Sequence, residues 1–170
     1  MASRRWLVHV RRPSRLSTVA LADTPPFLVE DSAWAFCHNG EFRRHNEYRS
    51  QLSDVLRGRA DSEVGFRLFE RLLGDELSVE EAIEEAHRRL EGNANVVYLG
   101  GDGRMVVRTA HQHNSVWTFD FEGGHWAVTA LHSADESLFD MIFREAVHRR
   151  EAEVPGQMVL ADAIRETARR

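Results

Sequence analysis

Apolar residues recur along this chain with two different periods, and the switches between them mark its elements. Trp6-Leu7-Val8-His9-Val10 is an apolar run of strand length, so residues 6–11 are expected to form a buried strand. Arg12-Pro13-Ser14 is a turn signal. Asp23-Thr24-Pro25-Pro26-Phe27 reads as extended, because a residue before proline is pushed out of the helical region. Ala33-Trp34-Ala35-Phe36-Cys37 is a second apolar run and predicts a strand over 33–38 that ends at His38-Asn39-Gly40. Residues 41–57 are polar and charged with scattered Phe42, Tyr48, Leu52, Val55 and Leu56, the pattern of a loop with a short helix. From Asp61 to Leu73 the spacing turns helical, through Val64, Leu68, Phe69 and Leu72. A second helix starts at Ser78, where Glu81 completes a capping box, and stops at Gly92.

Strand signals then dominate. Asn95 to Leu99 and Arg104 to Thr109 flank Gly100-Gly101-Asp102-Gly103, a hairpin turn. Val116 to Phe121 and His125 to Leu131 flank Glu122-Gly123-Gly124, a second hairpin. Glu136 to His148 carries Leu138, Phe139, Ile142, Phe143 and Val147 at helical spacing. Pro155-Gly156 turns into a closing strand, Gln157 to Leu160. Strands, two helices, strands, a helix and a strand make an α+β fold with a mostly antiparallel sheet and helices packed on it. A four-layer sandwich needs a second sheet partner, which the first and last strands can supply.

Composition narrows the classes. A chain of 170 residues with 42% hydrophobic content fits one domain, residues 1–170. A net charge of -5 argues against a general nucleic-acid binder. All 22 basic residues are Arg, which reads as a compositional bias of the genome. Cys37 is the one cysteine, so there is no intrachain disulfide, and a reducing, cytoplasmic location is expected. No apolar stretch is long enough to span a bilayer. The first 22 residues carry five Arg and no acid, like a transit peptide. The strand run and Pro13, which would break a targeting helix, favour a structural role instead.

Candidate chemistry centres on His38-Asn39-Gly40 and on Gly58-Arg59-Ala60-Asp61-Ser62-Glu63. A side-chain amide next to an unhindered glycine N–H at a strand end can hold a developing oxyanion. Asp61 opens a helix, where a carboxylate sits well, and it can also reach a ligand cation. Arg11 lies upstream. The succession His9-Val10-Arg11, Asp23-Thr24-Pro25-Pro26-Phe27, His38-Asn39-Gly40 and Asp61-Ser62-Glu63 resembles the class II glutamine amidotransferase domain. The likeness is closest to its stand-alone branch of YafJ-type proteins and the ergothioneine-pathway amidohydrolase. Asn95 to Val107 with its Asp102-Gly103-Arg104 hairpin, and Pro155-Gly156, extend the likeness over almost the whole chain.

The resemblance implies the αββα sandwich of the N-terminal nucleophile hydrolases. It implies that Arg11 pairs with the α-carboxylate of glutamine and that Asp61 accepts from the α-ammonium. It makes the Asn39 amide and the Gly40 N–H the oxyanion hole, with Thr24, Phe27 and His38 lining the pocket. It implies no cofactor and no metal. The family's nucleophile is a cysteine at the chain start, whereas this sequence starts Met1-Ala2-Ser3-Arg4. The expectation is therefore an N-terminally truncated domain whose first strands and cysteine are missing, with a late start codon as the favoured reason. Such a chain keeps parts of the pocket for glutamine or a γ-glutamyl compound, lacks turnover, and has poor solubility or self-associates. The rival expectation is a non-catalytic module that senses glutamine or packs against a synthase partner or a second copy.

Other motifs are weaker. Cys37 next to His38 suggests a nucleophile, but neighbours along a strand face opposite ways, so a small buried strand residue is expected. His38 is read as shaping the turn before Asn39-Gly40. His111-Gln112-His113 has two imidazoles on one strand face without a third ligand beside them, which favours a solvated strand end over a metal site. His132-Ser133-Ala134-Asp135 and Asp31-Ser32 lack a nucleophile-elbow frame, and Ser133 and Asp135 suit a helix cap. Arg4, Arg5, Arg11, Arg12 and Arg15 form a basic edge suited to an anion or a partner.

Overall fold

The computed structural model describes residues 5–11, 18–29, 34–129 and 136–161. Its centre is a five-stranded antiparallel sheet in the order β1-β2-β3-β4-β8, built from β1 (Phe27–Val29), β2 (Trp34–Phe42), β3 (Gly92–Gly100), β4 (Met105–Thr109) and β8 (Gly156–Ala161). Between β2 and β3 come a short helix α1 (His45–Arg49), α2 (Asp61–Gly74) and α3 (Val79–Leu90). A second antiparallel sheet has the order β6-β5-β7, from β5 (Val116–Phe121), β6 (Gly124–Thr129) and β7 (Val147–Glu151), with α4 (Glu136–Ile142) between β6 and β7.

The helical spacing read from the sequence is the buried face of α2. Val64, Leu68, Phe69 and Leu72 are buried, and the Phe69 ring stacks on Phe36 at 5.4 Å and meets Trp34 edge-on at 5.3 Å. Each such side chain contributes about 1.5–3 kcal/mol by leaving water. The capping box of α3 is present: Ser78 Oγ accepts from the Glu81 N–H at 3.3 Å, and the Glu81 carboxylate accepts from the Ser78 N–H at 3.0 Å. The helix ends at Glu91, which takes the left-handed conformation at φ 49°. Both predicted hairpins form. Gly100 and Gly103 hydrogen-bond across the first turn, and Glu122 and Gly123 have φ of 49° and 73°, the handedness a two-residue hairpin needs.

Four boundaries differ from the sequence reading. The strand expected over 6–11 does not form: residues 5–11 pair with no strand. Alternation persists, but it is turned inside out. Trp6, Val8 and Val10 are 75, 78 and 93% exposed, while Leu7, His9 and Arg11 are the half-buried positions. Strand β2 does not stop at His38 but runs to Phe42, because residues 38–42 continue the ladder against Val96 to Gly92. Helix α4 ends at Ile142, six residues early. Val147 to Glu151 instead pair with β5, with an irregularity between Thr118 and Asp120 and a left-handed His148 at φ 55°. Strand β3 begins at Gly92, directly after α3. Arg4, Arg12 to Arg15, Asp31-Ser32, Ala33 and His132 to Asp135 lie outside the described residues. Among the described residues no helix is long and apolar enough to cross a membrane.

Candidate functional site

Gly40 decides the shape of the site. Its φ of 137° is closed to residues with a side chain, and a Cβ there would run into the backbone carbonyl of Asn93 on the neighbouring strand. Along a straight strand His38 and Phe42 would stand about 13 Å apart. Their rings instead stack at 4.8 Å, because the strand bends at Gly40. Phe42 in turn meets His87 of α3 edge-on at 5.5 Å. The bend also delivers the Phe42 N–H to Asp61, whose Oδ2 accepts it at 3.0 Å. His38 Nε2 lies 3.4 Å from the same oxygen, close enough for a charge pair though not aligned as a hydrogen bond.

Asp61 is the most strongly perturbed carboxylate of this group. Burial pushes its carboxyl up, but the His38 ring, the Phe42 N–H and the nearby His45 together outweigh burial and hold it at about 2. Asp61 is therefore ionised at neutral pH. Its Oδ1 accepts from no described residue, so one oxygen stays available for a cation.

Arg11 and Thr24 come together in a cavity of about 200 Å³ that His9, Thr18 and Val19 also line. Arg11 Nη1 donates to the carbonyls of Thr18 at 3.0 Å and Asp23 at 2.5 Å, and Nη2 donates to Thr18 Oγ1 at 2.8 Å. Three of the five guanidinium donors are thus used. No described residue accepts from the remaining two, the Nε–H and the second Nη2–H. Those two form one edge of the guanidinium, the geometry of a bidentate grip on a carboxylate. Burial first, and then the charges of His38 and Arg11, lower the pKa of His9.

The other expected residues fall in different settings. Asn39 is half-exposed beside Gly40, opposite Asn95 in the ladder, and its amide has no hydrogen-bond partner among the described residues. Asn95 is buried and held at both ends of its amide: Nδ2 donates to the Asn114 carbonyl at 2.7 Å, and Oδ1 accepts from the N–H groups of Ala110 and His111. It thereby pins the 110–114 loop to this end of the sheet. Phe27 stacks on Phe66 at 5.2 Å and packs against the core. Cys37 is buried, and burial pushes its thiol up to about 12, as suits a small strand residue rather than a nucleophile. His111 Nδ1 accepts from the His113 N–H at 3.2 Å.

Two buried carboxylates went unassigned in the sequence. Asp23 Oδ1 accepts from the N–H groups of Arg59 at 2.5 Å and Ala60 at 2.6 Å. Glu63 accepts from Arg57 at 2.7 Å and Gly58 at 2.6 Å. Four successive amides before α2 are thus held by two acids, and Arg49 adds a bond to the Gly58 carbonyl at 2.5 Å. Glu63 lay within the motif, five and six residues from the amides it holds, a local signal; Asp23 is 36 and 37 residues from its amides, and nothing in the sequence links them.

No protein-family model matches this chain, and no curated protein matches it. Solved structures do. A glutamine phosphoribosylpyrophosphate amidotransferase from B. subtilis, complexed with ADP and GMP, superimposes with a TM-score of 0.63 at 19% identity, covering 89% of this chain and 31% of that one. A second structure, described as the allosteric regulatory enzyme of purine biosynthesis, gives 0.62 at 17% identity, covering 81% and 29%. This chain therefore spans less than a third of either neighbour, and at these identities the likeness is one of fold. The fold is the α+β type with antiparallel sheets that the sequence led us to expect, and it is shared with these two structures.

Proposed function

We propose that this chain is the glutamine-binding part of a class II glutamine amidotransferase, with glutamine or a γ-glutamyl compound as its ligand. The observation that carries the reading is Arg11: a guanidinium anchored by three bonds, with its carboxylate-gripping edge unengaged in a cavity shared with Thr24. Asp61, ionised and with one oxygen to spare, serves the ligand's ammonium. Asn39 and Gly40 serve as the donors that meet negative charge developing on the carboxamide oxygen, and they act most strongly in the transition state. In the full reaction a cysteine thiolate attacks that carboxamide and ammonia leaves from the thioester. The 170-residue chain binds without turning over, because its one cysteine is buried and protonated at neutral pH.

Titration calorimetry tests this. Glutamine should bind saturably, and Arg11→Ala or Asp61→Ala should each weaken it roughly ten- to a hundredfold, the loss of one charge-assisted contact of about 1.5–3 kcal/mol. No saturable heat up to ~10 mM, an order of magnitude above the usual range for substrates, overturns the reading. The rival reading, a non-catalytic module packing on a partner, is favoured by one observation: the exposed apolar row of Trp6, Val8 and Val10, with Leu21 and Leu28 exposed as well.

A further inference from the structure

Asp23 hydrogen-bonds to both halves of the site, to Arg11 and to the turn before Asp61, and it does so with two different groups. Its backbone carbonyl accepts from Arg11 Nη1 at 2.5 Å. Its side-chain Oδ1 accepts from Arg59 and Ala60, the last two residues before Asp61 opens α2. The carboxylate is almost completely buried. It also fills the space beside Gly58 so fully that a Cβ on Gly58 would collide with it. Arg11 comes from a segment that pairs with no strand, so the sheet does not fix its place. Ala60, the N-cap of α2, offers no side-chain cap of its own. The relative position of Arg11 and Asp61 is therefore set through Asp23 and the adjoining Thr18 contacts.

We infer that Asp23 is a positioning residue that holds Arg11 and Asp61 in register for a zwitterionic ligand carrying a carboxylate and an ammonium on one carbon. The inference rests on the glutamine-binding reading above for its ligand, and on the hydrogen-bond geometry alone for its mechanics. Losing the carboxylate frees the two amides that lead into α2, and the turn carrying Asp61 then shifts against Arg11. A ligand that uses both ends suffers from the shift, and one that uses only the Arg11 end does not.

The test compares glutamine with its analogue lacking the α-amino group, by calorimetry, on the 170-residue chain and on Asp23→Ala, Asp23→Asn and Gly58→Ala. Wild type should prefer glutamine. Asp23→Ala should weaken glutamine roughly tenfold or more, as expected for loss of a charge-assisted contact, and leave the analogue within about twofold, erasing the preference. Asp23→Asn keeps a side-chain oxygen as acceptor and should restore most of the preference. Gly58→Ala displaces the carboxylate without removing it and should behave like Asp23→Ala. Amide hydrogen exchange supplies the second readout: Arg59 and Ala60 should lose protection in Asp23→Ala and keep it in Arg11→Ala. Equal weakening of both ligands, or a preference that survives Asp23→Ala and Gly58→Ala, overturns the inference. If wild type binds neither ligand, the glutamine reading falls, and exchange then decides the mechanics. Arg59 and Ala60 still protected in Asp23→Ala would overturn those as well.

Discussion

His87 sits in the last turn of α3 with its ring almost wholly out of water, edge-on to Phe42 and next to Arg108. A helix C-terminus favours an imidazolium by up to about 2 kcal/mol. Burial opposes it, the Arg108 and His38 charges add to the opposition, and the backbone carbonyls of Ala94 and Gly92 pull only weakly the other way, so the ring titrates at about 4 against an ordinary 6.5. The folded-state value is depressed, so the unfolded chain takes up this proton first as pH falls. The stability linked to it is complete above about pH 6.5 and is lost progressively down to about pH 4. The difference of roughly 2.5 units, at 1.36 kcal/mol each, is about 3 kcal/mol, a sizeable share of the 5–15 kcal/mol typical of a domain. The perturbation is His87→Gln, which carries no titrating proton. Urea unfolding from pH 8 to pH 4 should show wild type losing about 3 kcal/mol more than the variant across that window. The His87 ring should also titrate near 4 by NMR. Parallel stability curves for the two proteins, or a ring midpoint at or above 6.5, would mean that burial does not hold the His87 imidazole neutral.

Asp61 acts lower on the scale. Held at about 2 against an ordinary 3.8, it supports the fold fully above about pH 4 and loses roughly 2 kcal/mol as pH falls through 2, a slope that Asp61→Asn should remove in acid unfolding curves. Cys37, with its thiol at about 12, should resist a thiol reagent at pH 8 in the folded protein and react at once in denaturant; equal rates in both states would place it at the surface. Gly40→Ala should cost about 3 kcal/mol or more, since strained φ and a clash with fixed backbone act together. An unchanged urea midpoint would show that β2 does not need its bend.

Local physics was legible in the sequence wherever one element supplies both the signal and its cause. The α2 face of Val64, Leu68, Phe69 and Leu72 follows from helical spacing, the start of α3 from Ser78 and Glu81, and both hairpins from glycines that accept positive φ. Burial of Cys37 followed from its place in an apolar run. Asn39, Gly40 and Asp61 stood out as candidates by their own chemistry, as an amide, an unhindered N–H and a carboxylate opening a helix, whereas Arg11, Thr24, Phe27 and His38 were candidates through the family resemblance. What depends on partners far along the chain could not be read. An apolar run at 6–10 has strand character with or without a neighbour to pair with, and only the tertiary structure shows that it has none among the described residues. Helical spacing runs from Glu136 to His148, yet ladder pairing with β5 outweighs local preference and makes Val147–Glu151 a strand. The bend at Gly40 that brings Phe42 over His38, and the four amides held by Asp23 and Glu63, arise from contacts between residues up to 37 apart in sequence. Hydrogen bonding and steric closure depend on distance in space, and no spacing along the chain encodes that for residues so far apart.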